Sequence, residues 1–300
     1  PKYDEYYAKD NKLSYEAPLR ARVKLINKTQ KSSKEQEIFM ADFPMMTSHG
    51  TFIINGVERV IVPQLARSFG VFFNSQELKG KKYFGAKVIP GRGAWLEFES
   101  DTDGVIYVRI DRKRKFPVTS LLRVLGLITD KEILKQFKDG AAAKIMALTL
   151  EKDSAKTASD SYIEIYKRLR DGDLATADNA KGFVDGIFSP ERYDLSPVGR
   201  FRFNRRFDLP MEGKEVNRRT LSKEDLVIII NNIISLNNTP GAEEDDIDHL
   251  GSRRVRYVGE MLQQKIRMGM SQMKRNIQDR MSTVDVETTL PIQIVNQRPL

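Results

Sequence analysis

Cysteine is missing from the 300 residues, which excludes disulfides and cysteine-ligated zinc. That absence fits a reducing compartment, and a cytoplasmic protein is expected. Histidine is nearly missing: only His49 and His249 are available for imidazole chemistry. No apolar run approaches the roughly 20 residues that a membrane-spanning helix needs. The longest candidate, Leu226 to Ile234, is broken by Asn231 and Asn232, so no membrane partner is expected. Acidic residues are in deficit, 41 against 50 Lys and Arg, for a formal charge of +9. Such an excess favours a polyanionic partner, most simply nucleic acid. The start at Pro1-Lys2-Tyr3 has no initiator Met and no apolar signal segment, and the end at Arg298-Pro299-Leu300 is abrupt. A piece of a longer chain is expected.

What is present describes an α+β protein. From Leu19 to Ile26 apolar residues (Leu19, Ala21, Val23, Leu25) alternate with basic ones, the period of a half-buried strand. A second strand is expected over residues 37–40. Asn55-Gly56, set between β-branched runs from Thr51 to Val62, is a strong hairpin signal because both residues tolerate positive φ. Strands are further predicted over 83–89, 95–99 and 105–110, the last two joined by a turn at Asp101-Thr102-Asp103-Gly104. Beyond Pro117 the spacing turns helical: 118–125, 131–137 with Thr129 or Asp130 as cap, 162–169, and a helix near Ala177 capped by Thr176. Ser222-Lys223-Glu224-Asp225 reads as a capping box opening a helix through Leu236. An acidic linker over 238–246 precedes a long basic helix predicted from about Arg254 to Met281. Strands, then helices, then a linker and a long helix suit two domains, one inserted into the other.

Catalytic motifs are weak. His49 has neither an assignable nucleophile nor an orienting acid. Asp245, Asp246, Asp248 and His249 form the densest set of potential metal ligands. A Gly-bounded acidic stretch next to Arg253 and Arg254 is more often a solvated linker leading to a helix cap. Arg170-Asp171-Gly172-Asp173 lies between predicted helices and reads as a turn, not a magnesium motif. Asp101 to Gly104 lacks the bidentate Glu of a calcium loop. Pro90-Gly91-Arg92-Gly93 lacks the spacing of a phosphate-binding loop.

Basic residues cluster at Arg109 to Lys115, at Arg200 to Arg206 where arginines alternate with aromatics, and at Arg253-Arg254-Val255-Arg256. Each can hold backbone phosphates without sequence preference, or serve only as a solvated face. Trp95, the single tryptophan, follows a Gly-Arg-Gly loop, where its ring can stack on an unpaired base or join the core.

Gly50-Thr51-Phe52-Ile53-Ile54-Asn55-Gly56-Val57-Glu58-Arg59-Val60-Ile61-Val62-Pro63-Gln64-Leu65 resembles the bacterial RNA polymerase β subunit. The likeness continues through Arg67-Ser68-Phe69-Gly70-Val71-Phe72-Phe73, Pro90 to Leu96, Val108 to Arg112, Arg192 to Arg200 and Asp245 to Arg254, in the family's order and across nearly the whole chain. The resemblance implies a protrusion domain, 1–67 with 247–300, interrupted by a lobe domain, 68–246. In that family a pocket between lobe and protrusion accepts a flipped guanine of the non-template strand at the downstream edge of the bubble. The matching positions are Arg67, Ile247, Asp248 and Arg253. A carboxylate suits guanine N1–H and N2–H, and arginines suit base or phosphate oxygens. Trp95 matches the tryptophan that stacks on the adjacent unpaired base. Arg59, Val62 and Gln64 match the margin of the rifamycin pocket. Pro63, Ala66 and Phe69 depart from the usual Ser, His and Pro around Arg67.

The resemblance also implies what these residues do not carry. The family's catalytic magnesium is bound by aspartates of the β′ subunit, and its RNA-contacting lysines and main rifamycin cluster lie nearer the β C-terminus. The expectation is therefore a DNA-handling part of DNA-directed RNA polymerase, a nucleotidyltransferase by membership. No catalytic residue and no cofactor of its own is expected. Expected partners are DNA, the β′, α and sigma subunits and the rest of the β chain. A stand-alone basic scaffold for DNA or protein is the alternative, and a metal-dependent hydrolase on Asp245, Asp246, Asp248 and His249 ranks behind both.

Overall fold

The computed structural model describes residues 1–28, 31–138, 140–170, 172, 174–213, 217–285 and 288–300. Asp171 and Asp173, of the turn expected between helices, lie outside the described residues. Antiparallel strands and helices are both present, the α+β class expected from the sequence. The chain gathers into two compact units, Pro1–Ala66 with Val255–Leu300, and Arg67–Arg254.

In the first unit, helix α1 (Glu5–Asp10) is capped by Asp4, whose side chain accepts the Tyr7 N–H. It leads into a long antiparallel hairpin of β1 (Glu16–Asn27) and β2 (Ser32–Pro44). Ala21 and Val23 face inward, as the alternation requires, and pack with Ile38 and Met40. Leu19 departs from it and is exposed; it stands where the register shifts, with Met40 of β2 as the extra residue. Against this hairpin pack Met273 and Ile277 of the long helix α9 (Val258–Thr283). Gly269 of that helix is a close-approach position, since an added Cβ would sit 2.4 Å from the Pro299 carbonyl oxygen.

The Asn55-Gly56 hairpin forms, but it is short, with β3 (Phe52–Ile54) pairing β4 (Val57–Arg59). Both turn residues are left-handed, φ 51° and 77°, as the dipeptide predicts. The tip is pinned from outside: Gly56 N–H donates to the Leu13 carbonyl at 2.8 Å and Asn55 N–H to Ser14 Oγ at 3.1 Å. Beyond Arg59 the β-branched run leaves the pairing, and Val60 and Val62 are exposed.

The second unit is built on a five-stranded antiparallel meander. Its strands are β6 (Gly70–Leu78), β7 (Lys81–Ile89), β8 (Leu96–Ser100), β9 (Ile106–Ile110) and β10 (Phe116–Pro117). Helices α2 (Val118–Val124), α3 (Asp130–Gln136), α4 (Gly140–Lys152), α5 (Ala158–Leu169), α6 (Ala177–Phe188), α7 (Ser196–Arg206) and α8 (Lys223–Asn238) share one apolar core with it. Three helix starts show reciprocal capping boxes: Thr129 with Glu132, Thr157 with Asp160, and Ser222 with Asp225. Thr176 caps α6. Helix α8 turns Leu226, Ile229, Ile230, Ile233 and Ile234 inward at the three-and-four spacing of one face. At its end Asn237 Oδ1 accepts the Phe84 N–H at 2.8 Å. A Cβ on Gly85 would meet the Phe98 carbonyl oxygen at 2.2 Å, so β7 and β8 approach there as only glycine permits.

Two arginines anchor this core. Arg200, fully buried, donates from Nη1 and Nη2 to the two oxygens of buried Asp225, both at 2.9 Å, and also serves the Arg218 and Thr220 carbonyls. Arg123 reaches buried Asp153 at 2.8 Å, and Thr119 and Ser120 donate to the same carboxylate. A buried charge is tolerated when an opposite charge and hydrogen bonds compensate it, as the carboxylates do here, although Arg123 Nε is buried without a partner.

Strand β11 (Arg253–Arg256) pairs with β5 (Gln64–Arg67) in a ribbon of its own. The long helix therefore starts four residues later than the apolar spacing predicted, because Arg253 to Arg256 are spent on that strand.

Candidate functional site

Arg67 closes β5 and is exposed; Arg253 opens β11. The Ser68 N–H donates to the Ser252 carbonyl at 2.9 Å, which brings the backbone at 67–68 beside that at 252–253. Two residues before the 3-10 turn Leu250–Ser252, the Asp248 carboxylate pairs with Arg253 Nη2. Asp248 stays largely open, its side chain 75% exposed, whereas Arg253 is 33% exposed. Ile247 is half-buried at their side. The Ser68–Ser252 bond thus joins the chain segments that carry Arg67 and Arg253, at the two ends of the second unit's chain, and the ion pair ties Asp248 to Arg253.

The turn that carries Asp248 is set by its neighbours. Asp246 accepts the N–H groups of Asp248 at 2.9 Å and His249 at 3.0 Å, and His249 Nδ1 accepts the Gly251 N–H at 3.0 Å. Arg202 Nη1 donates to the Gly251 carbonyl at 2.6 Å from α7. The guanidinium of Arg254 lies 4.1 Å from the centre of the Phe69 ring, two residues after Arg67 in sequence. Asp248 is therefore presented on a braced turn, with arginines on the adjoining strands.

The preceding acidic segment is not a solvated linker. Asp245 exchanges two bonds with Phe73 of β6: its N–H donates to the Phe73 carbonyl at 2.9 Å, and its Oδ2 accepts the Phe73 N–H at 2.7 Å. Arg206 adds an ion pair to Asp245 at 2.9 Å. Glu244 Oε2 accepts the Ser75 N–H at 2.9 Å. Asp245, Asp246, Asp248 and His249 are each committed to a different partner. Among the described residues no group of three or more His, Asp or Glu side chains could hold a metal ion.

Trp95 is held elsewhere in the second unit. Its N–H donates to Asp111 Oδ1 at 2.8 Å, and its carbonyl accepts the Asp111 N–H at 2.9 Å. The ring is half-buried, neither in the core nor fully open, and the Arg112 guanidinium lies 5.6 Å from its centre. In the first unit Arg59 ends β4, Gln64 opens β5 and Val62 is 68% exposed; all three face solvent.

The basic clusters divide sharply. In α7, Arg200 is a core ion-pair partner and cannot contact a ligand, and Arg202 and Arg206 are drawn to Gly251 and Asp245. The interleaved aromatics divide as well: Phe203 is buried and tilted against Phe207, whereas Phe201 is exposed. In the Arg109 to Lys115 cluster, Arg109 pairs with Glu99 at 2.7 Å and Lys115 with Asp101 at 3.0 Å. The Lys115 ammonium, and secondly the Thr102 N–H, hold the Asp101 carboxyl below the usual aspartate range. Arg112 and Lys113 remain exposed at the tip. Burial pushes the Tyr193 phenol far above its ordinary value, with Asp225 adding to it. The sequence reading missed Arg112 and Arg254 as ring-stacking cations; the aromatic partners are distant in sequence and only the fold pairs them.

Residues 67–256 match the family model described as RNA polymerase Rpb2, domain 2. Over 302 residues the chain is 44% identical to a DNA-directed RNA polymerase subunit beta of Syntrophomonas wolfei subsp. wolfei (strain DSM 2245B / Goettingen), covering 100% of this chain and 27% of that relative. The chain spans about a quarter of the length of the curated relative it matches.

Proposed function

Because the chain belongs to the RNA polymerase Rpb2 domain 2 family, as part of a β subunit, we propose that it handles the unpaired non-template strand of the transcription bubble. The second unit, 67–254, acts as the lobe, and the first, 1–66 with 255–300, as the protrusion. Asp248 reads a guanine through N1–H and N2–H, Arg67 and Arg253 hold base or phosphate oxygens, and Ile247 supplies an apolar wall. Trp95 stacks on the neighbouring unpaired base. The observation that carries this reading is the Ser68–Ser252 bond beside the Arg253–Asp248 pair, which gathers residues from both ends of the second unit's chain.

The activity belongs to the assembled enzyme with β′, α and sigma subunits in the cytoplasm. Its magnesium is held by β′, and these 300 residues polymerise nothing alone; magnesium-dependent RNA synthesis by the purified chain would refute that. The base reading is tested by binding to bubble DNA carrying G or another base at the downstream edge. A preference for G that disappears in Asp248→Ala supports the site. Equal binding to all four bases sinks it and leaves a generic basic scaffold.

A further inference from the structure

The loop between β9 and β10 is built at a conformational cost. The Lys113 N–H donates to the Ile110 carbonyl at 3.0 Å, closing a tight turn whose two central residues, Asp111 and Arg112, are left-handed with φ 49° and 59°. Aspartate tolerates that region through its short polar side chain; arginine gains nothing from it. The turn persists because Asp111 exchanges two hydrogen bonds with Trp95, at 2.8 and 2.9 Å. Its product is the placement of the Arg112 guanidinium on the face of the only tryptophan in the chain. Strain held in place by surrounding contacts marks a position with a task.

Magnitudes decide what happens when a base arrives. A cation over an exposed ring favours the stacked arrangement by about two- to fivefold. A nucleobase on an aromatic ring is favoured by about five- to 150-fold. The base therefore displaces the guanidinium, which stays tethered beside it. An unpaired nucleotide brings a phosphate with it, and a planar guanidinium matches phosphate oxygens in a bidentate manner. We infer that Arg112 is a positioning residue: it caps the Trp95 ring when no base is bound and moves to the flanking phosphate when one stacks. The inference rests on the Trp95 reading above and adds a second residue to it.

The single tryptophan makes the test direct, because all indole fluorescence of the 300-residue chain reports Trp95. Titration with oligothymidylate at several salt concentrations should quench it. Arg112→Ala should still be quenched, bind about two- to fivefold more weakly, and lose about 0.7 from the slope of log affinity against log salt. Arg112→Asn, which accepts left-handed backbone, should behave alike, and Arg112→Lys should keep most of the slope. Circular dichroism confirms that each variant is folded. An unchanged slope in Arg112→Ala, or tighter binding at that slope, overturns the inference while leaving Trp95 stacking intact. Absence of quenching, with a labelled oligonucleotide binding Trp95→Ala as tightly as the original chain, overturns both.

Discussion

The Asp248 carboxylate is already engaged by Arg253, five residues on, while three-quarters of its side chain faces solvent. A guanine that binds there joins an existing ion pair and does not meet a bare carboxylate. Removing Arg253 should therefore cost the fold little, within about 1 kcal/mol for an exposed pair. It should weaken binding to bubble DNA with G at the downstream edge by about tenfold, on the order of one charge-assisted contact. Thermal melting and the same binding assay on Arg253→Ala separate the two effects; a large loss of melting temperature would contradict the exposed-pair assignment.

The Arg200–Asp225 pair should behave in the opposite way. Both side chains are 1% exposed, so Asp225→Ala strands a buried guanidinium and should cost about 3–5 kcal/mol. Arg200→Met combined with Asp225→Leu should cost less than the sum of the single changes, since it leaves neither member of the buried pair without the other, and Arg218, which also pairs with Asp225, is partly exposed. Urea denaturation of Asp225→Ala, the two single changes and their combination measures this.

Glycines in the second unit divide by the space around them. Gly85→Ala places a methyl group 2.2 Å from the Phe98 carbonyl oxygen and should destabilise by about 2–4 kcal/mol. Gly182→Ala, inside α6 with nothing within 4 Å, should stabilise by about 0.5–1 kcal/mol. Equal melting temperatures for the two variants would count against the close contact of β7 with β8.

Acid should loosen the Asp101–Lys115 contact in a defined window. The Asp101 carboxyl is depressed in the fold, so the stability it contributes is present above its unfolded pKa. That stability is lost as pH falls through the lower folded value, below about pH 4. Carboxyl NMR should show Asp101 titrating late on acidification, and Lys115→Met should return it towards the ordinary range.

Much of this molecule was legible in local chemistry. The capping boxes at Thr129 and Ser222, the left-handed Asn55-Gly56 pair and the single apolar face of α8 each depend on neighbours within four residues. Features set by distant contacts were not legible. Leu19 fits the alternation and is nevertheless exposed; it stands at a register shift whose extra residue lies in the partner strand, which one strand read alone does not reveal. Strand β6 and helix α4 went unread, the first because Gly70 to Phe73 is an unbroken apolar run, the second because its pattern is alanine-rich and weakly sided. At the candidate site the residue types were readable, but Arg200 and Arg253 look alike in sequence. Burial alone separates the core ion-pair partner from the one open to a ligand.

Strand β6 is the last of its sheet, and its outward amide at Phe73 is occupied by the side chain of Asp245, that at Ser75 by the side chain of Glu244. Carboxylates standing in for a sixth strand end the meander with charge, where another chain would otherwise find a template for self-association. The segment that leads to the Asp248 turn thereby covers that edge, and any change that lifts it away should make the protein sticky before it makes it unfold.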